Sequence, residues 1–372
     1  SVDNNLGFPN LMKYVRLFHK HPKVKFTGSV HEQIDESLKK INYKFIDSNI
    51  EIVHLGYDIS YDEIKKKAQR NLKILLSEYE KQPNSYNAFQ IAQTYGMLNE
   101  KEKAFEYFNY TLNDKQLHTN YRAHALRYNA AIYLERNSLQ EALNLINEAL
   151  KLNPSSPLIN LVASKIYLRF GKIDEADKYC RKAVIENKKL LSGEKKSTYE
   201  IMVNSSSIIY YALTFTFENN LKQSFDFYFN ELDNLKEINQ NFINQIKNLL
   251  TNQNINEQSL NYFIEEINYT NIEFIISLLS KYNNIKNRLN ILQNIENKFP
   301  GNIKLINLLA NTLVSLNENA LAEKYFYKSL TKDENNPSTY FYLISILVQQ
   351  NKFDNIKSLI DKLENKFYNF EE

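Results

Sequence analysis

The stretch LRYNAAIYLERNSLQEALNLINEALKLNP, residues 126–154, decides the fold. It reads as helix, turn, helix, with Ala130, Tyr133, Ala142, Ala149 and Pro154 as its fixed points. Moving 34 residues on from Ala142 reaches Ala176, flanked by Tyr167, Gly171 and Ala183 at matching offsets. Moving back reaches Ala104, with Ala92, Tyr95 and Phe108 in place. Near the C-terminus Ala322 keeps Ala310 and Phe326 at the same offsets, and a further 34 residues gives Ile356 with Tyr340, Leu343 and Ile360. A small residue on each helix lets the two axes approach, so Ala92 is expected against Ala104 and Ala130 against Ala142. Prolines 83, 154, 157, 300 and 337 fall between pairs, where a helix must stop.

The spacing resembles the tetratricopeptide repeat, a helix pair of 34 residues that stacks into a solenoid because each pair leaves an apolar face only the next can cover. A generic helical bundle is the plainer alternative. The array is expected over residues 83–372, about seven pairs. Residues 188–197 (KKLLSGEKKS) stretch the spacing as a polar insertion, after which Ala212, Phe215, Ser224 and Tyr228 mark another pair. From residue 239 to 300 the repeats read as degenerate, with Arg288 where alanine is expected. The first helix of each pair lines the inner face, which places Tyr86, Phe89, Gln93, His124, Arg127, Lys165 and Arg169 there. Mixed aromatic and cationic groups suit a protein or peptide partner, in particular an extended acidic peptide. They equally fit a solvated helix face.

Composition narrows the class. A chain of 372 residues with 43% hydrophobic and 24% charged content can bury a large core. Its net charge of +3 gives no sign of nucleic-acid binding. One cysteine, Cys180, excludes an internal disulfide and fits a reducing compartment. No apolar run reaches the ~18–20 residues of a membrane span, and no signal peptide is visible, so cytoplasmic is the default. Only 7 glycines predict few positive-φ turns.

The front is different. YVRLF (14–18), VKFTG (24–28) and IEIVHLGY (50–57) read as short strands, the first two joined as a hairpin through HKHPK. A helix follows from Ser60, with Glu63 completing a capping box. FPN and KYVRLF, then FTGSVHEQI, then IVHLGY, then KKKAQRNLKILLSEYEKQP running into a repeat, resemble bacterial family 2 glycosyltransferases. The branch in question fuses a GT-A catalytic domain to tetratricopeptide repeats. The resemblance implies a mainly α chain: a small α/β remnant of the GT-A domain over residues 1–59, a connecting helix over 60–82, then the solenoid.

By that resemblance His31 and Glu32 lie at the catalytic cleft. Glu32 would deprotonate the acceptor hydroxyl. His31 would ligate a metal or contact the donor diphosphate, and Arg16 would add charge beside it. A full-length parent would use Mg²⁺ or Mn²⁺ with a nucleotide sugar. The donor-binding half is not in this chain, so no cofactor and no activity are expected of it alone. Structural roles fit His31 and Glu32 as well, and for His54 a backbone contact is the simpler reading. Lys65, Lys66 and Lys67 read as a solvated helix face. There is no glycine-rich phosphate loop, zinc-type Cys/His spacing or serine elbow. Two functions remain: the C-terminal region of a glycosyltransferase whose repeats hold a protein or glycan acceptor, or a non-catalytic scaffold for a peptide or protein.

Overall fold

A computed structural model describes residues 10–12, 15, 17–26, 34–46, 61–115, 117–195, 199–201 and 203–367. The chain forms two compact units, residues 1–208 and 209–372.

In the first unit, β1 (Asn10–Met12) precedes α1 (Asp35–Lys39) and the long helix α2 (Tyr61–Lys81). Asp62 and Glu63 open α2 and Lys81 closes it, each sign matched to the helix dipole. Three pairs follow: α3 (Ser85–Met97) with α4 (Lys101–Leu112), α5 (Thr119–Glu135) with α6 (Leu139–Leu152), and α7 (Pro157–Arg169) with α8 (Ile173–Leu191). Ala92, Ala104, Ala130, Ala142, Ala163 and Ala176 are all fully buried, as close crossing requires. Phe89 and Phe108 fill the space beside them and pack edge to face at 5.7 Å. Each such buried ring contributes ~1.5–3 kcal/mol. Ion pairs one repeat apart join successive turns: Lys101 with Glu135 at 2.7 Å, and Arg136 with Glu102.

After α8 the chain forms β2 (Tyr199–Ile201), antiparallel to β1 with Leu11 opposite Glu200. The helix α9 (Ser205–Glu218) runs through the boundary into the second unit, where α10 (Lys222–Asp233) follows. Next come α11 (Gln240–Leu250), α12 (Glu257–Glu266), α13 (Ile272–Ser280) and α14 (Ile285–Lys298). The chain ends in α15 (Ile303–Ser315), α16 (Asn319–Leu330), α17 (Pro337–Gln349) and α18 (Phe353–Phe367). Taken two by two, the described helices from α3 onward make eight successive pairs, where about seven were expected. Across 239–300, large apolar residues replace the alanines: Phe242 and Phe263 stack at 5.2 Å, and α13 is buried almost all round. Arg288 does not interrupt this. Its guanidinium donates to the carbonyls of Ser280 and Tyr282, capping the end of α13 (3.2 and 3.3 Å).

Two expectations are corrected. Positive-φ turns are common, supplied by asparagine in place of glycine. Asn99, Asn137, Asn220, Asn252, Asn317 and Asn351, with Gly171, take φ between 56° and 69° at the turns inside pairs. Asparagine tolerates this region because its short side chain adds little crowding. At the front, the described residues of YVRLF and VKFTG carry no strand. The Ser37 hydroxyl accepts from the Lys25 N–H (2.9 Å) and donates to the Lys23 carbonyl (3.3 Å), so α1 takes the backbone groups a strand partner would need. The α/β remnant is therefore not shown. The third strand, Ser60, His54, Arg16, His31 and Glu32 lie outside the described residues.

Candidate functional site

The first-helix face of α3, α5 and α7 gathers most of the residues expected to meet a partner. On α3, Tyr86 and Gln93 are half-buried, but Phe89 is fully buried. Its ring lies 4.7 Å from Tyr121 and 5.7 Å from His124, so Phe89 belongs to the core beneath the face, not to its surface. Tyr86 packs on the same Tyr121 at 5.8 Å.

His124 sits where α3, α4 and α5 meet, 5.7 Å from the rings of both Phe89 and Phe108. The Arg127 guanidinium, one helical turn along, lies 3.2 Å from its Nε2. Burial, and then the Arg127 charge, hold the imidazole pKa well below its usual 6.5. His124 is therefore neutral at pH 7 and accepts from Arg127 instead of adding a second charge. Arg127 also lies 5.6 Å from the face of Tyr128.

Lys165 and Arg169 are exposed on α7, one turn apart. Desolvation lowers the Lys165 ammonium pKa although the side chain meets solvent, as expected for a cation in a concave, protein-walled place. Arg169 donates to Oδ1 of Asn137 at 2.6 Å, reaching back to the preceding repeat.

Between α5 and α7 lies a cleft with room for about one water, lined by Asn120, His124, Arg127, Asn153, Ser156 and Ile201 among others. Asn120 and Asn153 stand 33 residues apart with side-chain amides at 3.5 Å, a repeat-spaced pair visible in the sequence but not singled out. Ile201 comes from β2, which packs on α5. No periodic signal in the sequence could place it there. The α8–α9 insertion thus lies against the face that the spacing assigned to a partner.

The residues through which the resemblance would hold a metal lie outside the described ones. Among the described residues no three His, Cys, Asp or Glu side chains come together as a metal site, and nothing there fits a divalent cation. No described helix is long and apolar enough to cross a membrane.

Residues 159–184 match the tetratricopeptide repeat family. The chain is 29% identical over 126 residues to the SPbeta prophage-derived glycosyltransferase SunS of Bacillus subtilis, a match covering 33% of this chain and 30% of that protein. The aligned part thus spans under a third of that relative's length. Among solved structures, a tetratricopeptide repeat protein from Parabacteroides merdae is similar at 14% identity, covering 77% of this chain and 94% of that one, with a TM-score of 0.48. The Cut9–Hcn1 hetero-tetramer of APC/C is similar at 14% identity, covering 82% and 64%, with a TM-score of 0.41. With its paired helices and this repeat match, the chain is a mainly helical, tetratricopeptide-type solenoid.

Proposed function

We propose that this solenoid binds an extended acidic protein or peptide segment on the first-helix face of α3, α5 and α7. The observation that carries the reading is the gathering of Tyr86, Arg127, Lys165 and Arg169 on consecutive helices of one unit. Successive packed helices lie ~10 Å apart, so one extended segment meets several of these cations. His124, being neutral, positions Arg127 and does not attract the ligand by charge. The test is titration of a fluorescein-labelled peptide pool rich in Asp and Glu against wild type and Arg127→Ala/Lys165→Ala/Arg169→Ala, at two salt concentrations. Each exposed contact is worth ~0–1 kcal/mol, so the triple variant should bind about tenfold more weakly and lose salt dependence. Equal affinity with unchanged circular dichroism would remove the site from this face.

The larger setting we infer is the acceptor-holding region of a nucleotide-sugar-dependent glycosyltransferase. The likeness to SunS and the ordered front motifs support it. A genomic reading frame continuing upstream into a domain with an Asp-x-Asp motif supports this setting. A stop codon there leaves a non-catalytic scaffold.

A further inference from the structure

The insertion between α8 and α9 is fastened at both ends. At its start the Lys195 ammonium donates to the Ser155 carbonyl and pairs with Glu186 at 3.2 Å. At its end the buried amide of Asn187 donates to the Val203 carbonyl (2.7 Å) and accepts from the Val203 N–H (2.9 Å), the two bonds a neighbouring strand would make. Asn204 then caps α9, accepting from the Ser207 N–H at 3.0 Å. The strand between these anchors, β2, packs on α5 and sends Ile201 into the cleft beside His124 and Arg127.

A strand held this way is pre-organised, and its ladder groups need a partner. The partner is β1, three residues from the far end of the sequence, paired as Asn10 with Ile201 and Met12 with Tyr199. A two-stranded ribbon this short is marginal in water. Backbone pairing of this kind is also how many domains add an extended segment of another protein. We propose that β2 is part of the partner-binding face, that the partner's extended segment pairs antiparallel with it, and that β1 is the chain's own occupant of that seat. This rests on the acidic-segment reading and adds to it a backbone component, with residues 10–12 as an intramolecular competitor. Tethering gives such a competitor an effective concentration on the order of millimolar, so a free peptide binds poorly until β1 leaves.

The test uses the full chain and a fluorescein-labelled peptide of residues 8–14, FPNLMKY. Opposite residues of an antiparallel pair have Cα atoms ~4.5–5.5 Å apart, within disulfide reach. Leu11→Cys with Glu200→Cys therefore locks β1 in place when oxidised, and the buried Cys180 does not compete. Asn10→Pro with Met12→Pro removes two strand N–H groups and frees the seat. The reduced double-cysteine chain should bind the probe at least tenfold more tightly than its oxidised form. The double-proline chain should bind at least tenfold more tightly than wild type, with unchanged helical circular dichroism. Failure of the disulfide to form, or equal probe binding in locked and freed chains, overturns the inference. The acidic-segment reading would then stand or fall on its own triple variant.

Discussion

His124 shows how one side chain changes character between sequence and fold. In the sequence it belongs with Arg127 and Lys165 as a cation; in the structure it is packed among Phe89, Phe108 and Tyr121 and stays neutral. Its lowered pKa ties stability to pH. The unfolded chain takes up a proton near pH 6.5 and the folded chain does so only well below that. Between those values the unfolded state binds more protons, so stability falls as pH drops below about 6.5 and is fully present above it. Thermal melts at pH 7.5 and 5.5 should show a smaller loss for His124→Gln than for wild type. Parallel losses in both would mean that His124 does not carry the effect. Arg288 makes the converse point: an apparent defect at an alanine position becomes a cap on the preceding helix.

At the scale of the element, asparagine punctuates the helices. Asn84, Asn256, Asn284 and Asn302 accept backbone N–H groups at helix starts, at 2.8, 2.8, 3.0 and 3.0 Å. At the other end, asparagines with positive φ close the first helix of a pair. At Asn317 the N–H donates to the Val314 carbonyl, and the Glu318 N–H reaches the Leu313 carbonyl, the double bond pattern of a Schellman turn. The φ of 61° there is costly for a β-branched side chain. Asn317→Val should therefore lower stability by ~1–2 kcal/mol, while Asn317→Gly should stay within ~0.5 kcal/mol of wild type by urea denaturation. Equal costs for the two would show that the turn does not need the left-handed conformation.

At the scale of the whole molecule, stability in a stacked array is a sum of pairs and nearest-neighbour contacts. Ala142 is fully buried where α5 and α6 cross, in the first unit. Leucine there forces the helices apart, costing ~1–3 kcal/mol. Hydrogen exchange of Ala142→Leu should show faster opening of α5, α6 and α7, with α15 to α18 unchanged. Equal acceleration in both units would mean that the chain unfolds as one cooperative body.

The sequence by itself determined the helix pairs. A 34-residue recurrence of small and aromatic residues is a local signal, repeated until chance is a poor account, and every element of it is a near neighbour in the chain. It also placed Tyr86, Arg127, Lys165 and Arg169 on first helices. It misjudged Phe89, because helical periodicity gives a side chain's direction but not what lies over it; Tyr121 and Phe108 cover that ring. The front strands failed for a related reason. Strand propensity describes residues that fit a pleated surface, and here the Ser37 hydroxyl engages the Lys23 and Lys25 backbone groups instead. Only the tertiary structure decided that β2 lies on α5 and that its partner is β1. Backbone pairing between distant segments leaves no spacing to read, because any three residues can supply the same N–H and C=O groups.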